Sequence, residues 1–218
     1  PSTTPMDKST PAAAAALAHA TDIFGYRPYI ERLTPLPGQR FHGSDNREEV
    51  SRASAALEAA AAGRRAALVS GGDPGVFAMA AAVFEAIEQG PCSWRTLDLA
   101  IEPGITAMLA AAARVGAPLG HDFCAISLSD NLKPWSLVEK RLKLAAEAGF
   151  ALALYNPASR ARPSAARQAF EVLARVCAPT TPVVLARAVG RPEEAIEVAS
   201  LDRADLSRVD MQTLIIVG

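Results

Sequence analysis

An apolar run, Ala66-Ala67-Leu68-Val69, meets a glycine turn, Ser70-Gly71-Gly72-Asp73-Pro74-Gly75-Val76-Phe77, which opens onto an alanine-rich helical pattern from Ala78 to Glu88. A strand that passes through glycines straight into a helix belongs to open α/β sheets, and ligands of such sheets sit at the carboxyl ends of the strands. Glycine lets the backbone approach a ligand and take dihedrals that other residues avoid. Asp73 adds a carboxylate able to hold a hydroxyl or an amine. A second junction of the same kind follows. Strand-like Thr96–Ile101 runs through Glu102-Pro103-Gly104-Ile105-Thr106-Ala107 into a helix from Met108 to Arg114. Pro103 breaks the strand, Gly104 makes the turn, and Thr106 suits a helix cap. Two such loops on one sheet edge make a cleft.

The remaining pattern alternates strand and helix. A helix is expected over Pro11–Ala20, a short strand near Asp22–Tyr26, and a Pro/Gly-rich loop from Tyr29 to Asp45. A helix then runs from Asn46 to Ala62, with Asp45 or Asn46 as its cap and Gly63 as its stop. After strand Ala66–Val69 the helix Val76–Gln89 follows. Strands joined through helices by short turns imply parallel pairing. Gly116-Ala117-Pro118-Leu119-Gly120 reads as a linker and sets the expected domains at 1–117 and 118–218. In the second half the expected elements are strand Cys124–Leu128, helix Pro134–Ala148, strand Phe150–Tyr155, helix Pro163–Val176 and strand Pro182–Ala188. Ala195–Ala199 and Thr213–Val217 are strand-like with no helix between them, so they are expected to pair antiparallel. The fold class is α/β: a parallel sheet in the N-terminal domain and a mixed sheet in the C-terminal one.

Composition narrows the function. Half of the 218 residues are apolar, enough for a substantial core, and the formal net charge is −1. That charge argues against nucleic acid as the main partner. No apolar run has the length of a bilayer span and no signal peptide is recognisable, so neither a membrane nor secretion is expected. Cys92, Cys124 and Cys177 are widely spaced, which fits free thiols in a reducing cytoplasm. His19, His42 and His121 form no ligand pair with them, and no metal site is expected.

The segments GGDPGVF (71–77), EPGITA (102–107), LSDNLKPW (128–135), LYNPASR (154–160), VGRPEE (189–194) and DMQTLIIVG (210–218) resemble the tetrapyrrole methylases. TDIFGYRPYI (21–30) is similar to the precorrin C17-methylating branch of that family, and so are LYNP-S and GRPEE. The resemblance covers about Thr10 to Gly218. It implies a two-domain α/β enzyme with its active site in the cleft between the domains. It also implies S-adenosylmethionine as methyl donor, S-adenosylhomocysteine as product, and methylation of C17 of precorrin-3B with ring contraction to precorrin-4 in cobalamin biosynthesis. A homodimer is implied as well. One departure stands out. The family carries a strand and a GxGPG-type loop just ahead of the first helix, and residues 1–7, PSTTPMD, carry neither. The resemblance therefore leads us to expect either that a first strand has been lost, the favoured reading, or that the protein does without it.

Carried over position by position, the resemblance places the cofactor on Gly71, Gly72, Asp73 and Val76, on Thr106 and Ala107, on Tyr155 and Asn156, and on Ala188 and Val189. A tetrapyrrole carries many carboxylates, so its pocket calls for cations. Arg160 and Arg162, directly after LYNPAS, are the chosen substrate contacts, with Ser129 beside them; Arg27, Arg40, Arg47 and Lys133 are further candidates. Asp130 or Asp45 is assigned to proton movement. A turn role for Asp130 and Asn156 and a core role for Tyr155 stay open. So do a cobalt-factor III or other precorrin substrate and a non-catalytic tetrapyrrole-binding protein. A Rossmann oxidoreductase is disfavoured because neither loop matches GxGxxG.

Overall fold

The computed structural model describes residues 9–46, 48–130, 133–159 and 162–218. Packing divides them into two units that meet between Thr106 and Ala107. That division precedes the helix expected at 108–114, whereas the turn at 116–120 follows it. The helix goes with the second unit because Ala111 and Ala112 are buried there against Val184, Ala186, Leu214 and Ile216.

In the first unit, helix α1 (Pro11–His19) starts where expected. The Thr10 hydroxyl accepts from the Ala13 amide at 3.2 Å and Pro11 occupies the first turn. Strand β1 (Asp22–Tyr26) leads into the single turn α2 (Arg27–Ile30). Strand β2 (Arg40–Ser44), helix α3 (Glu49–Ala61), strand β3 (Ala66–Val69) and helix α4 (Met79–Gln89) follow. The sheet is parallel in the order β2-β1-β3, with Ile23 opposite Phe41 and Ala67. Central β1 is buried along most of its length, while β3 is half-buried.

Three expectations are corrected here. The loop expected from Tyr29 to Asp45 contains the end of α2 and all of β2. Its sequence, Arg40-Phe41-His42-Gly43-Ser44, has little apolar character because it is an edge strand. Thr96–Ile101 is not a strand. Cys92–Thr96 forms a 3-10 turn, and Leu99 and Ile101 remain 42% and 45% exposed, with no ladder partner among the described residues. The cap of α3 is Glu48 and not Asp45 or Asn46; its carboxylate accepts the Asp45 amide at 2.9 Å.

A buried carboxylate sits at the start of β1. Asp22 has no exposed surface and accepts hydrogen bonds from Arg40 (2.9 Å), His42 (2.9 Å), Arg64 (3.0 Å) and Thr21 (3.0 Å). The His42 ring stacks on Phe24, centroids 4.3 Å apart. Burial alone would raise the Asp22 carboxyl. The hydrogen bonds from Arg40, His42 and Thr21 and the Arg40 charge outweigh it and hold the group far below the usual carboxylate range.

In the second unit, α5 (Ala107–Ala112) precedes strand β4 (Phe123–Ser127), helix α6 (Trp135–Glu147), strand β5 (Ala151–Tyr155) and helix α7 (Ala165–Leu173). Strands β6 (Pro182–Arg187), β7 (Ala195–Ser200) and β8 (Thr213–Val217) complete it. The mixed sheet has the order β4-β5-β8-β6-β7. Among the described residues of this sheet, only β4 and β5 pair in parallel. Contrary to the expected pairing of 195–199 with 213–217, β7 and β8 do not touch as strands; each pairs antiparallel with β6. The reason lies in their side chains. Thr-Leu-Ile-Ile-Val is buried throughout and needs a neighbour on each side, whereas β7 leaves Val198 62% exposed at the sheet edge. One face of the sheet is covered by α6 and α7 through Leu142, Val138, Phe170 and Leu173.

Asp22 generates a prediction for this unit. Its depressed native pKa contributes stability that is present above the ordinary carboxyl pKa of about 4 and is lost as pH falls below that value. Asp22→Asn strands Arg40 and Arg64 without their carboxylate and lowers the melting temperature by several degrees at pH 7. The gap from the parent chain closes as melts are repeated at successively lower pH below about 4.

Candidate functional site

The loop after β3 is shaped by close approach. Gly72 takes φ +75°, and Phe77 takes φ +50°, a conformation rare for a bulky side chain. A Cβ on Gly104 would lie 2.2 Å from the Gly72 carbonyl oxygen, so backbone meets backbone where the two glycine loops touch. Asp73 spans the contact. Its Oδ1 accepts the Gly75 amide at 2.8 Å and its Oδ2 accepts the Gly104 amide at 3.1 Å. A Cβ on Gly71 would meet the Tyr29 ring at 3.0 Å, so Tyr29 shields one side of the turn. Gly71 and Gly72 are exposed, Val76 is half-buried, and Thr106 is buried immediately ahead of α5. The two loops carry Asp73 and Glu102 but no Lys or Arg.

In the second unit the carboxyl ends of β5 and β6 share a feature. Asn156, just past β5, has φ +54°, and Ala188, just past β6, has φ +50°. Left-handed backbone at a non-glycine residue costs about 1–2 kcal/mol, and such strain collects at functional sites. Asn156 is held by its Nδ2, which donates to the buried Ser127 hydroxyl at 2.9 Å at the end of β4. The Tyr155 hydroxyl accepts the Met108 amide at 3.1 Å and so ties β5 to the first turn of α5. The Ala188 amide donates to the Gln212 carbonyl. Ala107 is exposed and Val189 half-buried.

Beyond β4 the chain carries a charge cluster. Arg162 Nε lies 3.1 Å from Asp130 Oδ1, with only 15% of the arginine side chain exposed. Its Nη1 donates to the Leu128 carbonyl at 3.4 Å. Lys133 Nζ donates to the Ser129 carbonyl at 3.0 Å. Burial and the Arg141 and Arg162 charges push the Lys133 ammonium down, against the opposing pull of Asp130. Ser129 donates its amide to the Ser127 hydroxyl at 3.3 Å.

The structure thus brings Gly71, Gly72, Asp73 and Val76 into one loop with Gly104 bound against it, and it brings Tyr155 and Asn156 to one strand end. It also joins Asp130 to Arg162. Arg160 and Arg47 lie outside the described residues. Asp45 is 78% exposed at its side chain and 3.7 Å from Arg27 Nε, while its carbonyl accepts from the buried Arg52. His42 is engaged with Asp22. Sequence reasoning passed over Tyr29 and Gly104 as participants. The Gly-Tyr-Arg-Pro-Tyr run at 25–29 marks the first, but which residue it covers depends on tertiary packing.

Asn156 offers a direct check of the strand-end geometry. Asn156→Ala raises the left-handed cost, which asparagine tolerates better than alanine, and removes the bond to Ser127, and is expected to lower unfolding free energy by about 2 kcal/mol. Asn156→Gly is expected to lose about half of that, because glycine accepts the backbone conformation. Urea denaturation of the two variants checks this.

Comparison with known proteins gives these loops a context. Residues 5–205 match the family model described as Tetrapyrrole (Corrin/Porphyrin) Methylases. The chain is 59% identical over 209 residues to the precorrin-3B C(17)-methyltransferase of a Sinorhizobium species, covering 96% of this chain and 82% of that protein. It is 46% identical over 216 residues to the cobalamin biosynthesis protein CobIJ of Mycobacterium tuberculosis, spanning 97% of this chain but 42% of that longer protein. The crystal structure of the methyltransferase CobJ superposes with a TM-score of 0.94 at 54% identity, covering 97% of this chain and 88% of that one. With the loops in place at both strand edges and matches of this extent, the chain belongs to the tetrapyrrole (corrin/porphyrin) methylase family.

Proposed function

We propose that this chain is an S-adenosylmethionine-dependent methyltransferase that methylates C17 of precorrin-3B, with contraction of the macrocycle to precorrin-4, in cobalamin biosynthesis. The observation that carries the reading is the 59% identity across nearly the whole chain to a precorrin-3B C(17)-methyltransferase. The residues present fit the donor. Exposed Gly71 and Gly72 offer backbone without side-chain obstruction, and the loops around them hold carboxylates and no cation that would repel a sulfonium.

When bound, the sulfonium supplies an already activated methyl group, so the protein's work is binding and orientation. The proposed contacts are the backbone of Gly71-Gly72-Asp73 with Val76, and Thr106 with Ala107. Tyr155, Asn156, Ala188 and Val189 complete the set. The substrate's carboxylates are assigned to Arg160 and Arg162, with Ser129 as a hydrogen-bonding neighbour. Lys133 adds a second cation beside Arg162. Asp130, whose Oδ1 lies 3.1 Å from the Arg162 Nε, or Asp45 is proposed to assist proton movement. The active unit is proposed to be a homodimer, as the resemblance implies.

Calorimetry with S-adenosylhomocysteine tests the cofactor assignment. Micromolar binding is expected, and absence of binding contradicts it. Steady-state kinetics with precorrin-3B test the substrate side. Arg162→Met is expected to raise KM about ten- to a hundredfold, the worth of a charge-assisted hydrogen bond. The affinity for S-adenosylhomocysteine should stay unchanged. Equal loss of both would place Arg162 elsewhere in the mechanism.

A further inference from the structure

We infer that the Asp73 carboxylate is a positioning group: it clamps the two glycine loops of the first unit into one rigid body and serves the cofactor through that body, not as a direct ligand. The inference rests on the cofactor reading above and deepens it.

Each oxygen of the carboxylate accepts a backbone amide. Oδ1 closes a local turn on Gly75, and Oδ2 reaches Gly104, 31 positions further along the chain. The second bond exists only because Gly104 has no side chain, since a Cβ there would stand 2.2 Å from the Gly72 carbonyl. The clamp therefore has two matched halves, a carboxylate on one loop and a missing side chain on the other. Between them they fix the exposed Gly71-Gly72 backbone and the left-handed Phe77 that ends the turn. A ligand that reads this backbone meets a surface that has already lost its freedom, and pre-organisation of this kind raises affinity by lowering the ordering cost of binding.

The test compares Asp73→Asn, Asp73→Ser and Gly104→Ala with the parent chain. Hydrogen exchange of the Gly75 and Gly104 amides is followed by NMR, and folding by thermal melts. Dissociation constants are measured for S-adenosylhomocysteine and for methylthioadenosine, which lacks the amino-acid end. Asp73→Ser can still close the turn on Gly75 but is too short for Gly104, so it isolates the bridge. The clamp predicts about tenfold faster exchange at Gly104 in both Asp73 variants, the loss of one hydrogen bond. Both ligands should weaken by the same factor, and Asp73→Asn combined with Gly104→Ala should be no worse than Gly104→Ala alone. Weakening confined to S-adenosylhomocysteine overturns the inference, because it marks a direct contact to the amine. Additive losses in the double variant, or unchanged Gly104 protection, overturn it as well. If Gly104→Ala fails to fold, the Asp73 variants and the exchange data decide alone. If the unsubstituted chain binds neither ligand, the cofactor reading itself fails and takes the positioning role with it, an outcome visible before any variant is made.

Discussion

Gly104 lies against the Gly72 carbonyl at a distance no Cβ can share, and the candidate cofactor loop takes its shape from that contact. The Asp73 bridge to Gly104 spans the same contact, and left-handed Gly72 lies within it. The cost is conformational, since glycines lose more freedom on folding than other residues. The second unit reaches a comparable end by another route. There the strand ends after β5 and β6 are turned by non-glycine residues, Asn156 and Ala188, in the same left-handed region. Asn156 is braced by Ser127 and Ala188 by the Gln212 carbonyl. In both units, then, the backbone at the carboxyl edge is held rigidly in conformations that few residues choose.

Such edges suit a reaction in which the protein need not supply a nucleophile. Methyl transfer from a sulfonium asks for alignment of donor and acceptor, and a fixed backbone supplies alignment better than flexible side chains. One charged cluster lies next to the second of these edges, around Ser129 and Leu128. There Arg162 and Lys133 share a single described carboxylate partner, Asp130, and crowding with Arg141 already disfavours the Lys133 charge. The proposed contact with the substrate's carboxylates rests on this excess of cations.

Much of this was legible in the sequence, and the failures have a common cause. The helices at 11–19 and 135–147 and the strands at 66–69 and 213–217 carry their own periodicity or caps. The division into a parallel sheet followed by a mixed one was readable from whether helices intervene. Thr96–Ile101 looked like a strand because it alternates apolar and polar residues, yet a strand exists only with a ladder partner, and among the described residues that segment has none. Strand β2 was missed for the converse reason, a polar segment recruited by its neighbour β1. The β7–β8 pairing was misjudged because adjacency in sequence was weighed above the burial demand of Leu214, Ile215, Ile216 and Val217, which places β6 between them. In the site, the glycine positions were visible but their reason was not. Nothing local reveals that Gly104 is small to admit Gly72, or that Asp73 looks inward to two amides.

The most direct measurement is a single-turnover reaction with precorrin-3B and S-adenosylmethionine carrying a carbon-13 label in its transferable methyl group. The account predicts that the label appears in the tetrapyrrole product as one new methyl on C17. Cofactor bound with no label transferred, or label delivered to a different ring carbon, would contradict it.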